Sequence, residues 1–233
     1  MATKTQTKPH AENEYGRYFV PAGLEDRPAS KAVLAGNVYE ADTIKFMRAH
    51  AGDGDIIHAG TFFGDFLPGL SSAMAKGAKV WAFEPNPDSY AAAKKTVSLN
   101  KLKNIDLQNV ALSNVAGNLL FKSRDGDGNS IGGISHIVDE PGEGVHEVSA
   151  DLLDYIVPRD RHVSILQLDV EDHEKHALRG AFHLIQRCRP ILILEYLSNE
   201  RWLQRTFRGM GYEQRGKIHS NWVYATPDTE TVI

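Results

Sequence analysis

From residue 54 onward, short apolar runs alternate with longer stretches whose apolar positions recur at helical spacing. Ile56-Ile57 reads as a buried strand, and Phe66 to Lys76 as a helix with Pro68 in its first turn, where a missing N–H costs nothing. Ala78 to Phe83 is a second strand. Pro87 to Asn100 is a helix with Tyr90, Ala93 and Val97 on one stripe, and Ile105 to Val110 is a third strand. Asn118 to Lys122 reads as a hairpin arm and Leu152 to Ile156 as a short helix. Val163 to Leu168 is a fourth strand ending at Asp169, and His173 to Cys188 is an amphipathic helix with Ala177, Ala181, Ile185 and Cys188 in register. Ile191 to Leu194 is apolar throughout and ends on Glu195, as in a central parallel strand covered on both faces. A helix over Asn199 to Arg208 and two antiparallel closing strands, Tyr212 to Lys217 and Trp222 to Ala225, complete the order. The pattern predicts an α/β fold: a doubly wound, mostly parallel seven-stranded sheet with helices on both faces and the last strand antiparallel.

Two regions break this rhythm. Residues 1–37 read as a polar tail followed by an irregular extension, in which Tyr18-Phe19-Val20-Pro21 packs on the domain; a helix over Glu40 to His50 follows, with Ile44 and Met47 on one side. Residues 38–233 then form a single domain. A Gly-rich insertion around 125–147 reads as a turn-rich lid, because loops of that length are usually functional. Its Asp125-Gly-Asp-Gly-Asn129 start resembles a calcium loop, but Ser130 and His136 replace the Gly and Glu such a loop needs.

Composition narrows the function classes. A net charge of −4 argues against a nucleic-acid partner, which requires a basic footprint. Arg201, Arg205 and Arg208 fall at helical spacing and read as a solvated helix face. Cys188 is the single cysteine, compatible with a reducing compartment. No segment approaches the roughly 20 apolar residues needed to span a bilayer, so no membrane partner is expected, and the chain reads as cytoplasmic.

The densest chemistry lies at the ends of the predicted strands. Gly60-x-x-x-Gly64 after a strand lets a ligand approach backbone. Glu84 stands 24 residues beyond Gly60, where an acid accepts hydrogen bonds from ribose hydroxyls. The turn is neither G-x-G-x-x-G nor a phosphate loop. This weighs against NAD and ATP, hence against a dehydrogenase, and favours a nucleoside without a pyrophosphate. Asn109-Val110-Ala111 closes the third strand, where such sheets often meet the base. Asp169, Glu171 and His173 sit with Asp172 and Glu174 at the end of the fourth strand, where open α/β sheets place ligands. Asp172 also suits a helix N-cap. His173 and His176 are three residues apart, but the spacing matches no standard metal motif and no metal is assigned.

Taken together, these blocks resemble the FkbM family of S-adenosylmethionine-dependent methyltransferases, which have a class I, Rossmann-like fold. The resemblance covers roughly residues 38–197. It rests on Gly60-x-x-x-Gly64-Asp65-Phe66, Ala82-Phe83-Glu84-Pro85-Asn86-Pro87, Leu99-Asn100 with Asn104, Leu153-Asp154, Leu168-Asp169-Val170-Glu171 with Glu174, Leu178-x-Gly180-Ala181, and Arg189-Pro190 with Glu195. It implies that the stretch His58, Gly60, Thr61, Phe62, Gly64, Asp65 and Phe66 holds the methionine part of the cofactor. Glu84, with Pro85 and Asn86, would hold the ribose, and Asn109, Val110 and Ala111 would flank the adenine. Asp169 and Glu171 would face the reacting centre. The activity implied is methylation of a hydroxyl on a small molecule, sugar or natural product.

The chain departs from the family pattern at the active end of the sheet. His58 replaces an acid that helps to place the cofactor's ammonium, and Phe62 replaces Asn. Gln167 replaces Lys, and Asp172 replaces Gly. A neutral imidazole can accept a hydrogen bond from an ammonium but supplies no charge, a deficit that Asp65 or Asp55 could offset. A hydroxyl nucleophile needs a base, for which Asp169 or His173 is the candidate, with Glu171 orienting the substrate. The same departures are compatible with a protein that binds S-adenosylmethionine without turnover, as a regulatory or scaffold subunit. Monomer and homo-oligomer are equally compatible with the sequence.

Overall fold

In the computed structural model, residues 10–195, 200–229 and 231 are described. The elements run in chain order as β1 (Ala11–Asn13), β2 (Gly16–Tyr18), α1 (Pro28–Leu34), α2 (Ala41–His50), β3 (Asp55–Ala59), α3 (Leu67–Ser71), β4 (Val80–Phe83), α4 (Pro87–Leu99) and β5 (Ile105–Gln108). They continue with β6 (Ala111–Leu112), β7 (Gly117–Lys122), β8 (His136–Val138), β9 (Val145–Asp151), α5 (Leu153–Ile156) and β10 (Val163–Leu168). After these come α6 (Glu174–Gly180), α7 (Phe182–Cys188), β11 (Ile191–Leu194), α8 (Glu200–Phe207), β12 (Glu213–Ile218) and β13 (Asn221–Ala225).

Seven strands form one sheet in the order β12-β13-β11-β10-β3-β4-β5. The strands from β11 to β5 are parallel, and β13, the last in sequence, pairs antiparallel with both neighbours. Alternation along the strands divides the core. Ile57, Phe83, Leu166, Leu168, Leu192 and Leu194 pack with Leu178, Ile185 and Phe207 on one face. Ile56, Val80, Ala82, Ile165 and Ile193 pack with Ile44, Met47, Phe66 and Leu70 on the other. Each fully buried Ile or Leu contributes about 1.5–3 kcal/mol relative to exposure. The winding reverses between β3 and β10, so their carboxyl ends open a crevice at a topological switch point.

Two expected helices are shorter than their patterns. The helix expected over Phe66 to Lys76 ends at Ser71. Inside it, Gly69 lies so close to Ile44 and the Tyr15 ring that a Cβ would come within 3.1 Å of each. The helix expected over His173 to Cys188 is two, broken at Ala181. There Gly180 packs against the Ser113 backbone, and a Cβ would stand 1.9 Å from its carbonyl oxygen. Asp172 is not the N-cap; His173 occupies that position without a side-chain cap.

A second sheet, β6-β9-β7-β8, lies between the third and fourth strands of the main one. The third strand therefore stops at Gln108, and Ala111-Leu112 joins β9 instead. The insertion is built into this sheet: β8 pairs with β7, and a 3-10 turn over Gly132–Ile134 precedes it. The N-terminal extension is less irregular than its sequence suggests, since it holds the β1–β2 hairpin and α1. Tyr18, Val20, Leu24 and Val33 cluster there with Phe62 and Phe63. The part of the expected tail within residues 1–9, and Asn199, lie outside the described residues.

Candidate functional site

The strand ends at the switch point line a cavity of about 240 Å³. The α2/α3 face of the sheet supplies two polar side chains to its wall. His58 on β3 and Gln167 on β10 are direct register partners, and the Nδ1 atom of His58 is hydrogen-bonded to Oε1 of Gln167. The imidazole also stacks on Phe66, with centroids 5.0 Å apart and planes 6° apart. Its Nε2 is buried and has no hydrogen-bond partner among the described residues. Burial lowers the His58 pKa to about 4, so the ring is neutral near pH 7.

One residue further along, the backbone closes on itself. Gly60 takes φ +83°, and a Cβ there would lie 1.9 Å from the carbonyl oxygen of Asp169. The Gly60 and Thr61 N–H groups donate to the Phe83 carbonyl at 3.0 and 3.1 Å. Phe62 also has a positive φ, 50°, a conformation that Asn tolerates well and other side chains adopt at a cost of about 1–2 kcal/mol. Its N–H donates to Oε2 of Glu84 at 2.7 Å, and the Asn86 N–H donates to Oε1 at 2.8 Å. Glu84 is thus held by two backbone donors and keeps lone pairs free for a ligand. Burial nevertheless raises its pKa to about 8.

Asp169 and Glu195 end the adjacent strands β10 and β11 and share a side-chain hydrogen bond. Burial first, then that bond and the charge of Glu195, raise the Asp169 pKa well above the carboxylate range. Glu171, with φ 50°, completes a cluster in which Asp169, Glu171 and Glu195 each place one carboxylate oxygen within 4.8 Å of the others. Hard oxygen donors at that spacing suit a shared proton or an oxygen-loving divalent cation. Glu40 adds a fourth negative charge felt at Asp169, while His136 opposes the charge of Glu171. Arg27 is the single Lys or Arg among the described residues lining the cavity.

The residues expected to bind or react divide in two. His58, Gly60, Phe62, Asp65, Phe66, Glu84, Pro85, Val110, Ala111, Asp169, Glu171 and His173 line the cavity. Thr61, Gly64, Asn86 and Asn109 stand behind it. Thr61 donates to the His58 carbonyl at 3.2 Å, and Gly64 lets the turn approach Leu67, Ala93 and Thr96. Asn86 caps α4 and donates to Ser135 at 3.1 Å. Asn109 is exposed and clamps the Glu84 and Pro85 carbonyls at 2.7 and 3.0 Å. His173 shares its Nε2 with Ser113 at 3.1 Å and stacks on His176, whose Nδ1 meets Asn114 at 2.9 Å. These two histidines therefore build no metal site with Asp169. Asp55 cannot offset the lost acid at position 58. It sits at the amino end of β3, bound by Arg161, by Trp81 at 2.8 Å and by the Lys79 N–H at 2.8 Å. Asp65 remains near the cavity, buried, with its pKa raised by burial to about 7.

The sequence reading assigned no site role to Glu195, Tyr39, Glu40 or Arg27 and saw in Gln167 only a departure from the family pattern; all five line the cavity. Glu195 carried a readable signal, an acid closing a central apolar strand beside Asp169. Arg27 and Tyr39 reach the site only through the packing of the N-terminal extension.

The profile of the FkbM methyltransferase domain matches residues 51–213. The chain belongs to the FkbM methyltransferase family. Its fold is similar to that of the FkbM methyltransferase of Methylobacillus flagellatus KT (15% identity, TM-score 0.53). That alignment covers 74% of this chain and 43% of the other, so the chain spans less than half the length of that relative. Two further structures are a putative rRNA methylase from Clostridium thermocellum and a SAM-dependent methyltransferase from Aquifex aeolicus. The first shares 9% identity at TM-score 0.49 over 78% of this chain and 91% of the other. The second shares 12% at 0.45 over 87% and 94%. No curated protein matches the sequence. Among the described residues, no helix is long and apolar enough to cross a membrane.

Proposed function

We propose that this chain is an S-adenosylmethionine-dependent O-methyltransferase whose acceptor is a hydroxyl on a small molecule, sugar or natural product. The observation that carries the cofactor reading is Glu84. It is a buried carboxylate at the end of the second strand, fixed by two backbone N–H groups, facing a cavity closed by the Gly60 turn. Glu84 suits the ribose diol, and Val110 and Ala111 give the base an apolar wall. When bound, S-adenosylmethionine supplies an electrophilic methyl group on a sulfonium.

What the chain itself contributes is placement and a proton acceptor. Asp169 and Glu195 hold a proton between them, so one carboxylate oxygen of the pair is free to take the proton of an acceptor hydroxyl. Glu171 orients the acceptor. His173 is a weaker candidate for the base, because its Nε2 is engaged by Ser113. Gly132–Ser135 and Ile137 from the insertion, with Arg27–Ala29 from the extension, wall off the cavity and shape the acceptor pocket. Positioning of this kind contributes up to about 7–11 kcal/mol in favourable reactions.

Calorimetry with S-adenosylmethionine and S-adenosylhomocysteine, followed by transfer of labelled methyl to a panel of hydroxyl acceptors, tests the proposal. Micromolar binding and label transfer are expected. Binding without transfer to any acceptor favours a silent regulatory or scaffold role, and absence of binding removes both readings.

A further inference from the structure

We propose that Gln167 is a positioning residue that fixes the tautomer of His58, so that a bare Nε2 lone pair is presented to the ammonium of the bound cofactor's amino-acid chain. The argument starts from the donor inventory. A carbonyl oxygen has no proton to give, so the contact between Gln167 Oε1 and His58 Nδ1 requires the proton to be on Nδ1. A buried neutral imidazole carries one proton only. Nε2 is then unprotonated, an acceptor with nothing to accept from.

Leaving a buried acceptor unsatisfied is costly, so an orphan of this kind calls for a partner. The described residues offer none. One ring nitrogen is held by Gln167, and one ring face is covered by Phe66. The ring nonetheless belongs to the wall of the cavity, on the sheet face that carries the Gly60 turn. A ligand group that fills this position must donate. An ammonium does so with three N–H bonds, and the carboxyl groups of Asp65, Glu40 and Asp169 in the same lining, whose pKa values burial raises, ionise as a cation arrives and supply the charge that a neutral imidazole lacks. A hydroxyl at the same place would gain only the hydrogen bond, and a carboxylate neither effect. Gln167 therefore acts on the subsite through His58. A side chain there that donated to Nδ1 would move the proton to Nε2 and turn the acceptor into a second donor facing the ammonium.

This inference rests on the cofactor reading above, and the test separates the two. Long-range proton–nitrogen correlation spectra of the full chain with 15N-labelled histidine report the tautomer without any ligand. A His58→Asn sample assigns the signal. A protonated Nδ1 and a bare Nε2 are expected, with Nε2 shifting when S-adenosylhomocysteine is added. Calorimetry then compares S-adenosylhomocysteine with 5′-methylthioadenosine, which lacks the amino-acid chain. Gln167→Leu should weaken S-adenosylhomocysteine by about 10–100-fold, as loss of an orienting partner typically does. It should leave 5′-methylthioadenosine unchanged, and Gln167→Glu, which still accepts from Nδ1, should restore binding. A proton found on Nε2, or equal losses for both probes, overturns the role of Gln167. If the unmodified chain binds neither probe, the cofactor reading falls and takes the ligand assigned to Nε2 with it, whatever the tautomer.

Discussion

Two ends of one cavity are built on opposite electrostatic principles. At the β3–β4 end the fixed polar groups are tied to the protein, while Nε2 of His58 is left open. Glu84 accepts from two backbone N–H groups, His58 is hydrogen-bonded to Gln167, and the Gly60 turn is tied to the Phe83 carbonyl. At the β10–β11 end Asp169, Glu171 and Glu195 face one another, with Glu40 adding to the field and, among the described residues, no Lys or Arg but Arg27 lining the same space. The first end is pre-organised, so it can bind a nucleoside with little rearrangement. The second holds crowded negative charge in a half-buried place, a state that a shared proton or an incoming cation relieves. Like-charged carboxylates kept together in this way are a common means of obtaining a base whose pKa is far from its ordinary value. The contrast teaches that binding and chemistry can be broken separately.

The largest expected effect is at the crowded end. Asp169→Asn keeps the shape of the side chain but removes its charge and its power to accept a proton. Turnover should fall by about 10²–10⁴-fold, the usual range for loss of a positioned base, with S-adenosylhomocysteine affinity retained. If Asp169→Asn and His173→Ala both turn over at the full rate, neither is the base. Gly60→Ala attacks the junction of the two ends. Its Cβ would stand 1.9 Å from the Asp169 carbonyl oxygen at a backbone angle of φ +83°. A loss on the order of 100-fold in cofactor affinity, about 2.7 kcal/mol, is expected by calorimetry. An unchanged affinity would mean that the turn does not shape the cofactor site. Glu84→Gln is milder, because the amide keeps one acceptor oxygen. A hydrogen bond to a charged group contributes about 1.5–3 kcal/mol, so affinity should drop roughly 10–100-fold. Equal binding by the variant would remove Glu84 from the ribose.

What the sequence made legible follows the same division. Val163–Leu168 and Ile191–Leu194 form strands at the predicted bounds, because continuous burial on both faces leaves an unbroken apolar run. Their terminal acids could be read with them. The wall from the N-terminal extension could not. Tyr39 and Arg27 come to the cavity through the packing of Tyr18, Leu24 and Val33 on Phe62 and Phe63, contacts distant in sequence that no local period records. The insertion hid β8 and β9 because a half-exposed strand among glycines lacks a clean alternation. His58, Phe62 and Gln167 each looked like isolated departures from the family pattern. In the fold the first and third are register partners joined by a hydrogen bond, and Phe62 keeps the left-handed backbone that presents its N–H to Glu84.

The smallest effect tests both ends at once through the dependence of stability on pH. Burial raises the pKa of Asp65 to about 7, of Glu84 to about 8 and of Glu174 to about 7, all above their ordinary values. The folded chain then holds these protons more tightly than the unfolded chain. The stability they contribute is complete at acid pH and is lost as pH rises from the ordinary carboxylate range through 7–8. Burial lowers His58 and His173 to about 4, so their contribution runs the other way, present near neutrality and lost as pH falls from 6.5 towards 4. The three carboxyl groups outnumber the two histidines, so without ligand the melting temperature should be nearly level below about pH 5 and decline from there to about pH 8, by roughly 2–4 °C for each kcal/mol lost in a chain of this size. Ribose hydroxyls donating to Glu84 would favour its ionised form, so S-adenosylhomocysteine should flatten the alkaline part of this decline and leave the curve below about pH 5 unchanged. Melting curves from pH 4 to 9, with and without the ligand and for Glu84→Gln, decide the matter. The substitution should reduce the alkaline decline even in the free protein. A melting temperature that stays constant from pH 6 to 8 in the free protein would show that these carboxyl groups are ionised in the fold, and that the cofactor end is charged before any ligand arrives.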